Sequence, residues 1–277
     1  MNLAVLSDIH SNFHALKACI AKAEEAKVDG FIFLGDYISD CAYPHKTMEL
    51  LYKLKKEIPC YFVRGNREEY VLNFHKNGGD WRYGSSTGSL LYTHDNLTEE
   101  DFEFFDSLPI TDVINPNGKC NIRLCHGSPV KSRDPLYPNA PRVINWIYDL
   151  DEKVILGGHI HLPFIERICD SFFMNPGTVG VPVSGDTKSQ MAIIESDGNT
   201  WNPELLRVEY DTSATVGEMK EAGLLDIAGV WSLAVKKSIL TGYNYPLFCV
   251  MLAERLAKGG EVTEEHWLEA AKQLHIE

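Results

Sequence analysis

Seven side chains able to ligate a metal ion stand just beyond short apolar runs in the first 161 residues of this chain. Run 3–6 leads into Asp8 and His10, run 31–34 into Asp36, run 61–63 into Asn66, run 122–124 into His126, and run 154–156 into His159 and His161. A single histidine after a strand is more often structural, and a single Asp beside Gly is usually a turn. Five such ends in one chain reverse that reading. Asp8 with His10, and His159 with His161, are spaced i and i+2, so one extended turn can supply two ligands from the same side. Gly35, Gly65, Gly157 and Gly158 adjoin these residues, and turning sharply off a strand favours dihedrals that Gly adopts freely.

The donors are imidazoles, carboxylates and one amide, with no obvious thiolate. Such a set suits Mn, Fe or Zn better than Ca or Mg, and it lacks the Cys-rich pattern of a closed structural zinc site. Seven groups are too many for one tetrahedral ion, but they match two ions sharing a carboxylate ~3.5–4 Å apart, with positions left for water and substrate. Two such cations lower the pKa of a water between them, making hydroxide available near neutral pH, and they also bind phosphoryl oxygens.

Stacked β-α-β units are the elements that position these ends. In the first 75 residues, strand-like runs alternate three times with helical patterns at 13–26, 45–56 and 68–75. Ligands in such sheets gather beyond the carboxyl ends of the strands, so residues from 8 to 161 can share one crevice. A looser stretch covers 76–91, and Thr98-Glu-Glu-Asp101 suits the start of a helix over 97–108. From Ile110 onward, strands joined by tight turns dominate, interrupted by a helix at 141–150; Asn115-Pro-Asn-Gly118 and Ser196-Asp-Gly-Asn199 are two of the turns. The expected fold is α/β: two packed mixed β-sheets in a sandwich with helices on both outer faces. After Asp211 the periodicity is purely helical, with Thr215-Val-Gly-Glu218 read as a capping box, Gly223 and Gly242 as stops, and Val262 with Trp267 as a staple. Residues 1–211 thus form the main domain and 212–277 a helical appendage that packs on it or closes over it.

Bulk properties narrow the partners. The 277 residues are 44% hydrophobic, enough for a large core, and carry a formal charge of −13. Such a surface repels polyanions, so long nucleic acid is a poor partner and a phosphate-bearing ligand needs a locally positive site. Neither a signal-peptide pattern nor an apolar run of ~20 residues is present, so no membrane contact is expected. The seven cysteines are scattered and form no CxxC pair, which reads as reduced thiols in a cytoplasmic protein.

The series Asp8-x-His10, Gly35-Asp36, Gly65-Asn66, His126 and Gly158-His159-x-His161 resembles the signature of calcineurin-like metallophosphoesterases. Within that superfamily, Ser128-Pro129 through Arg133-Asp134-Pro135-Leu136, the segment Asn175-Pro-Gly-Thr-Val-Gly180 and the ending Arg207-Val-Glu-Tyr-Asp211 are similar to the bacterial YfcE-like phosphodiesterase branch. The resemblance implies one ion on Asp8, His10, Asp36 and His161, another on Asn66, His126 and His159 with Asp36 as the bridge, and hydrolysis of a small phosphodiester or nucleotide phosphate by the bridging hydroxide. Asn66 would also orient phosphate.

Arg67 departs from the pattern, because many relatives carry His after Gly-Asn, a residue credited with protonating the leaving oxygen. Arg stays charged and cannot be that acid, but its donor fork matches phosphate, so aryl or nucleotide leaving groups are favoured. The structural alternative pairs Arg67 with Glu68 or Glu69. His94 is a candidate proton donor at the site mouth, weighed against a solvated loop position, while His14, His45, His75, His266 and His275 fall in helical patterns without an identifiable partner. Rival functions are a dinucleoside polyphosphate hydrolase, a Ser/Thr protein phosphatase, and a retromer-type scaffold. A scaffold has no reason to gather uncompensated carboxylates and imidazoles.

Overall fold

The computed structural model describes residues 1–276. Strands β1 (Asn2–Leu6), β2 (Gly30–Phe33) and β3 (Cys60–Phe62) alternate with helices α1 (Phe13–Glu25), α2 (Pro44–Glu57) and α3 (Asn66–Asn77). Helices α4 (Gly88–Asp95) and α5 (Glu99–Ser107) precede β4 (Thr111–Ile114) and β5 (Ile122–Cys125). Next come α6 (Pro141–Asp149), β6 (Val154–Leu156), β7 (Phe164–Ile168), β8 (Ser171–Asn175), β9 (Ser189–Ser196) and β10 (Trp201–Val208). The chain ends in α7 (Thr212–Glu221), α8 (Leu224–Ile227), α9 (Gly229–Thr241), α10 (Tyr245–Ala257) and α11 (Glu264–Gln273).

Two mixed five-stranded sheets result, ordered β10-β9-β1-β2-β3 and β4-β5-β6-β8-β7. Within them β1, β2 and β3 run parallel, as do β5, β6 and β8. Side chains alternate along each strand, and β1 and β2, at the centre of the first sheet, are buried on both faces, so they read as continuous apolar runs. Leu3, Val5, Ile32 and Leu34 meet Ile122, Leu124, Val154 and Leu156 between the sheets. Ala4, Leu6, Phe31 and Phe33 face outward into a second core built with α1, α2, α3 and α5. On the far side, Ile155 and Phe173 pack on Val143 and Ile147 of α6. The expected sandwich with helices outside is the fold.

Local signals succeed and fail for identifiable reasons. Thr98 and Asp101 cap α5, with Thr98 N donating to Asp101 Oδ2 at 2.8 Å. The capping box expected at Thr215 is not one. Helix α7 starts earlier, where Asp211 accepts from Ala214 N at 2.9 Å, and Thr215 lies inside it, donating to Asn12 Oδ1 at 2.9 Å. Helix α4 falls partly in the stretch read as loose, because its Gly-Ser start is weakly helical; Ser89 is anchored there by the Asp40 carboxylate at 3.2 Å. Gly242, at φ 78°, ends α9 as expected.

The C-terminal helices do not form a detached body. Met219, Leu224, Val235 and Ile239 share an apolar cluster with Cys41, Tyr92 and Val181 of the preceding chain. A further cluster joins α9, α10 and α11 around Trp267, with Val262 packed against it. Among the described residues, no helix is long and apolar enough to cross a membrane, and all seven cysteines are free.

Candidate metal centre

Each ligand expected from the sequence follows the end of a strand: Asp8 and His10 lie in the turn after β1, Asp36 after β2, His126 after β5, and His159 and His161 after β6, while Asn66 opens α3 just beyond the β3 turn. Asp8, His10 and His161 offer ligand atoms within 4.8 Å of one another, and so do Asp8, Asp36 and His126. Asp8 belongs to both groups. Asp36 reaches both sides, with Oδ2 3.9 Å from His10 Nε2 and Oδ1 3.4 Å from His126 Nε2. Asn66 Oδ1 faces His126 Nε2 at 3.1 Å, and the His159 ring lies 5.2 Å from that of His126, at the edge of the cluster.

The backbone reaches this arrangement by an unexpected route. Asp8, His10, Asp36, His159 and His161 themselves occupy the left-handed region, at φ 56°, 51°, 54°, 71° and 58°. Asp and His tolerate that region better than most residues, yet each such position still costs about 1–3 kcal/mol, a pattern typical of functional turns. Of the neighbouring glycines, only Gly35 has positive φ, at 92°. Gly65 and Gly158 serve close approach instead: a Cβ would stand 2.3 Å from Asp36 N at the first and 2.0 Å from Ser7 Oγ at the second. Dihedral freedom was the wrong reason for those two.

Hydrogen bonds from outside fix the rings. Nδ1 of His126 bonds Leu34 O at 2.7 Å, Nδ1 of His161 bonds Val181 O at 2.9 Å, and Nδ1 of His10 lies 3.0 Å from Asp40 Oδ2. A carbonyl accepts from N–H, so in the neutral rings of His126 and His161 the Nε2 lone pair points inward, and the Asp40 contact sets His10 the same way. His10 Nε2 and His161 Nε2 are then only 3.0 Å apart, two acceptors face to face. Asp8 Oδ1, fully buried, faces His161 Nε2 at 3.2 Å, and with that nitrogen carrying its lone pair inward the oxygen has no donor, while Oδ2 accepts from Ser7 Oγ at 2.6 Å and His159 N at 3.0 Å. Converging acceptors and an orphaned buried carboxylate oxygen fit a cation, which would satisfy all of them together.

The charges agree. Burial pushes the Asp8 carboxyl up, but His161, His126 and His10 outweigh it and hold the group well below the usual carboxylate range. Burial raises Asp36 too, and His126 and His10 bring it down to about 2. Burial opposes charge on His126, yet Asp36 and Asp8 raise it to about 10, so the carboxylates demand positive charge beside them. Burial and His126 lower His159 to about 4, keeping it a neutral donor at neutral pH.

A model of the calcineurin-like phosphoesterase superfamily domain matches residues 1–199. The chain belongs to that superfamily. The uncharacterized protein MJ0912 of Methanocaldococcus jannaschii is 28% identical over 228 residues, covering 76% of this chain and 88% of its own. The crystal structure of a metallophosphoesterase from Sphaerobacter thermophilus aligns with a TM-score of 0.71 at 25% identity, over 87% of this chain and 100% of that one. Hypothetical protein PH1004 from Pyrococcus horikoshii OT3 aligns at 0.73 and 24% identity, over 87% and 98%. Those aligned shares exceed the first 211 residues, so both solved folds include part of the C-terminal helical region.

This calcineurin-like phosphoesterase also uses residues that the sequence did not single out. Asp40 binds His10, pairs with Arg67 Nη2 at 3.2 Å and accepts from Trp231 Nε1 of α9 at 2.8 Å. Burial opposes its charge, but Arg67 and His10 hold its carboxyl well below the usual range. Arg67 therefore pairs with Asp40 and lies over the Trp231 ring at 5.5 Å, and neither Glu68 nor Glu69 is its partner. Glu68 instead accepts from the backbone N–H groups of Gly65, Asp36 and Tyr37 at 2.8–2.9 Å, tying two ligand turns together. The segment 175–180 braces the first and last turns: Thr178 Oγ1 bonds Asp8 O at 2.9 Å and Asn175 Nδ2 bonds Gly158 O at 2.6 Å. His94 packs among Phe74, His75 and Phe102 and bonds Asp95, not at the site mouth. His14 and His45 find partners in Glu218 at 3.2 Å and Asp101 at 2.8 Å. His75 stacks on Phe102, and His266 caps α11 by accepting from Thr263 N at 3.1 Å.

Proposed function

We propose that this chain is a cytoplasmic, metal-dependent phosphoesterase that hydrolyses a small phosphodiester or nucleotide phosphate at a centre for two ions. Residues 1–211 would carry the centre, and 212–277 would form a helical appendage beside it. Asp8, His10, Asp36 and His161 would hold one ion; Asn66, His126 and His159 would hold the other, with Asp36 shared. The observation that carries this reading is the inward convergence of His10 Nε2 and His161 Nε2 at 3.0 Å beside the unpartnered Asp8 Oδ1. Two Mn, Fe or Zn ions bound there would supply water of lowered pKa and Lewis-acid charge for the phosphoryl oxygens.

The remaining steps belong to side chains. Asn66 turns Oδ1 toward His126, which leaves its amide N–H groups to donate to a phosphate oxygen. Arg67 Nε is buried without a hydrogen-bond partner and lies 3.9 Å from Asp36 Oδ2, so the guanidinium has an N–H free to donate beside the cluster. A fixed donor there stabilises charge that develops on the phosphoryl group. Arg67 keeps its proton, so it cannot protonate a departing alkoxide, and esters with stable leaving anions suit the site.

Metal content by emission spectroscopy, together with turnover of a small phosphate-ester panel, tests the reading on wild type and Asp36→Asn. The variant should lose nearly all activity and part of its bound metal while its circular dichroism stays unchanged. Wild-type turnover in that variant would exclude Asp36 as the shared ligand.

A further inference from the structure

The phosphoesterase sandwich does not line the site alone. A cavity of about 250 Å³ opens over His159 and His161, with Asp40 and Arg67 on its polar side. Its other walls are mostly apolar. Trp231 and Val235 come from α9 and Val250 from α10, with Leu247 at the rim. Val181 follows the bracing segment, and the exposed ring of Tyr137 stands in the 127–140 connection.

The contents of these walls restrict the ligand. Arg67 is the one Lys or Arg among the described lining residues, and Asp40 already shares its charge. Beyond the two ions proposed for the centre, a chain of several phosphates would meet no further basic side chain in these walls. The volume lies below the ~300 Å³ at which pockets for drug-sized ligands begin, so the part of a ligand held between these walls is about one compact ring system. Trp231 is held by its bond to Asp40, by Arg67 over its ring and by an edge contact with Trp267 at 6.4 Å, so little side-chain entropy is lost when a ligand packs on it.

We infer that α9 and α10 form the specificity wall of the enzyme, and that its substrate carries a single phosphoryl group esterified to an aromatic ring that packs on Trp231, Leu247 and Val250. The inference rests on the phosphoesterase reading, because it places the phosphoryl group beside His159 and His161.

Calorimetric titration of the metal-loaded protein with methylphosphonate and phenylphosphonate tests it. The two probes share a head group and differ in the ring alone. Phenylphosphonate should bind at least about tenfold more tightly, the gain expected for burying part of one ring. A Leu247→Ser, Val250→Ser double variant should bring the ratio near one; Leu247→Ser alone, at a position 45% exposed, should lower it if the pair folds poorly. Equal affinities in the wild type, or a ratio unmoved by these variants, would overturn the inference while leaving the phosphoesterase reading intact. Binding of neither probe, with no ester turned over, would remove both.

Discussion

Asp40 links three parts of the molecule through one carboxylate. It orients His10, neutralises Arg67 and accepts the Trp231 indole N–H, all away from bulk water. Asp40→Asn keeps the shape and removes the charge, leaving the half-buried guanidinium with Asp36 at 3.9 Å as its remaining carboxylate neighbour. Breaking a fully buried pair by changing one partner costs about 3–5 kcal/mol, and the partial exposure of Arg67 makes the cost here smaller. Urea unfolding of Asp40→Asn should show a lower midpoint at unchanged slope, and adding Arg67→Met should recover part of the loss. A double variant no more stable than the single one would mean that the Arg67 pairing is not what the carboxylate supports. Sequence offered little warning here. Asp40 is one acidic residue among 39 and follows Asp36 by four positions, in a turn that carries no glycine of its own.

At the scale of elements, the site is a set of loops held under tension by neighbouring strands. Five ligand-bearing residues sit at positive φ, and the cost is borne by hydrogen bonds between turns: Asp8 N to Gly35 O at 3.1 Å, His10 N to Asp36 O at 3.0 Å and Gly180 N to Asp8 O at 2.9 Å. Close approach of the β2 and β3 turns completes it, because Gly65 has no room for a side chain against Asp36. Gly65→Ala must push a backbone N–H and a ligand carboxylate apart. Overpacking of this kind destabilises by about 1–3 kcal/mol. The variant should melt at lower temperature and take up less metal, whereas wild-type values for both would show that the turn relaxes freely. The glycines marked the turns correctly in the sequence, but pattern could not tell positive φ from steric contact, since the contact joins residues 36 and 65.

For the whole molecule, the decisive feature is that the helical end of the chain reaches the chemistry. Its helices share an apolar cluster with Cys41, Tyr92 and Val181, and Trp231 donates to a carboxylate that binds a ligand histidine. A chain ending at residue 211 would expose that cluster and take the Trp231 donor from Asp40. It should aggregate or unfold without a sharp transition, as read by size-exclusion chromatography and thermal melting; a monomer with the full-length midpoint would show that the sandwich stands alone. The sequence by itself determined the α/β class, the strand ends and the seven candidate ligands, because apolar period and residue type are local properties that survive in one dimension. Only the tertiary structure decided that Arg67 answers to Asp40, that the last helices wall the cavity, and that the ligands themselves adopt the strained dihedrals. Those outcomes depend on contacts between residues as far apart as 40 and 231, and no local pattern encodes which distant side chain will fill a given space.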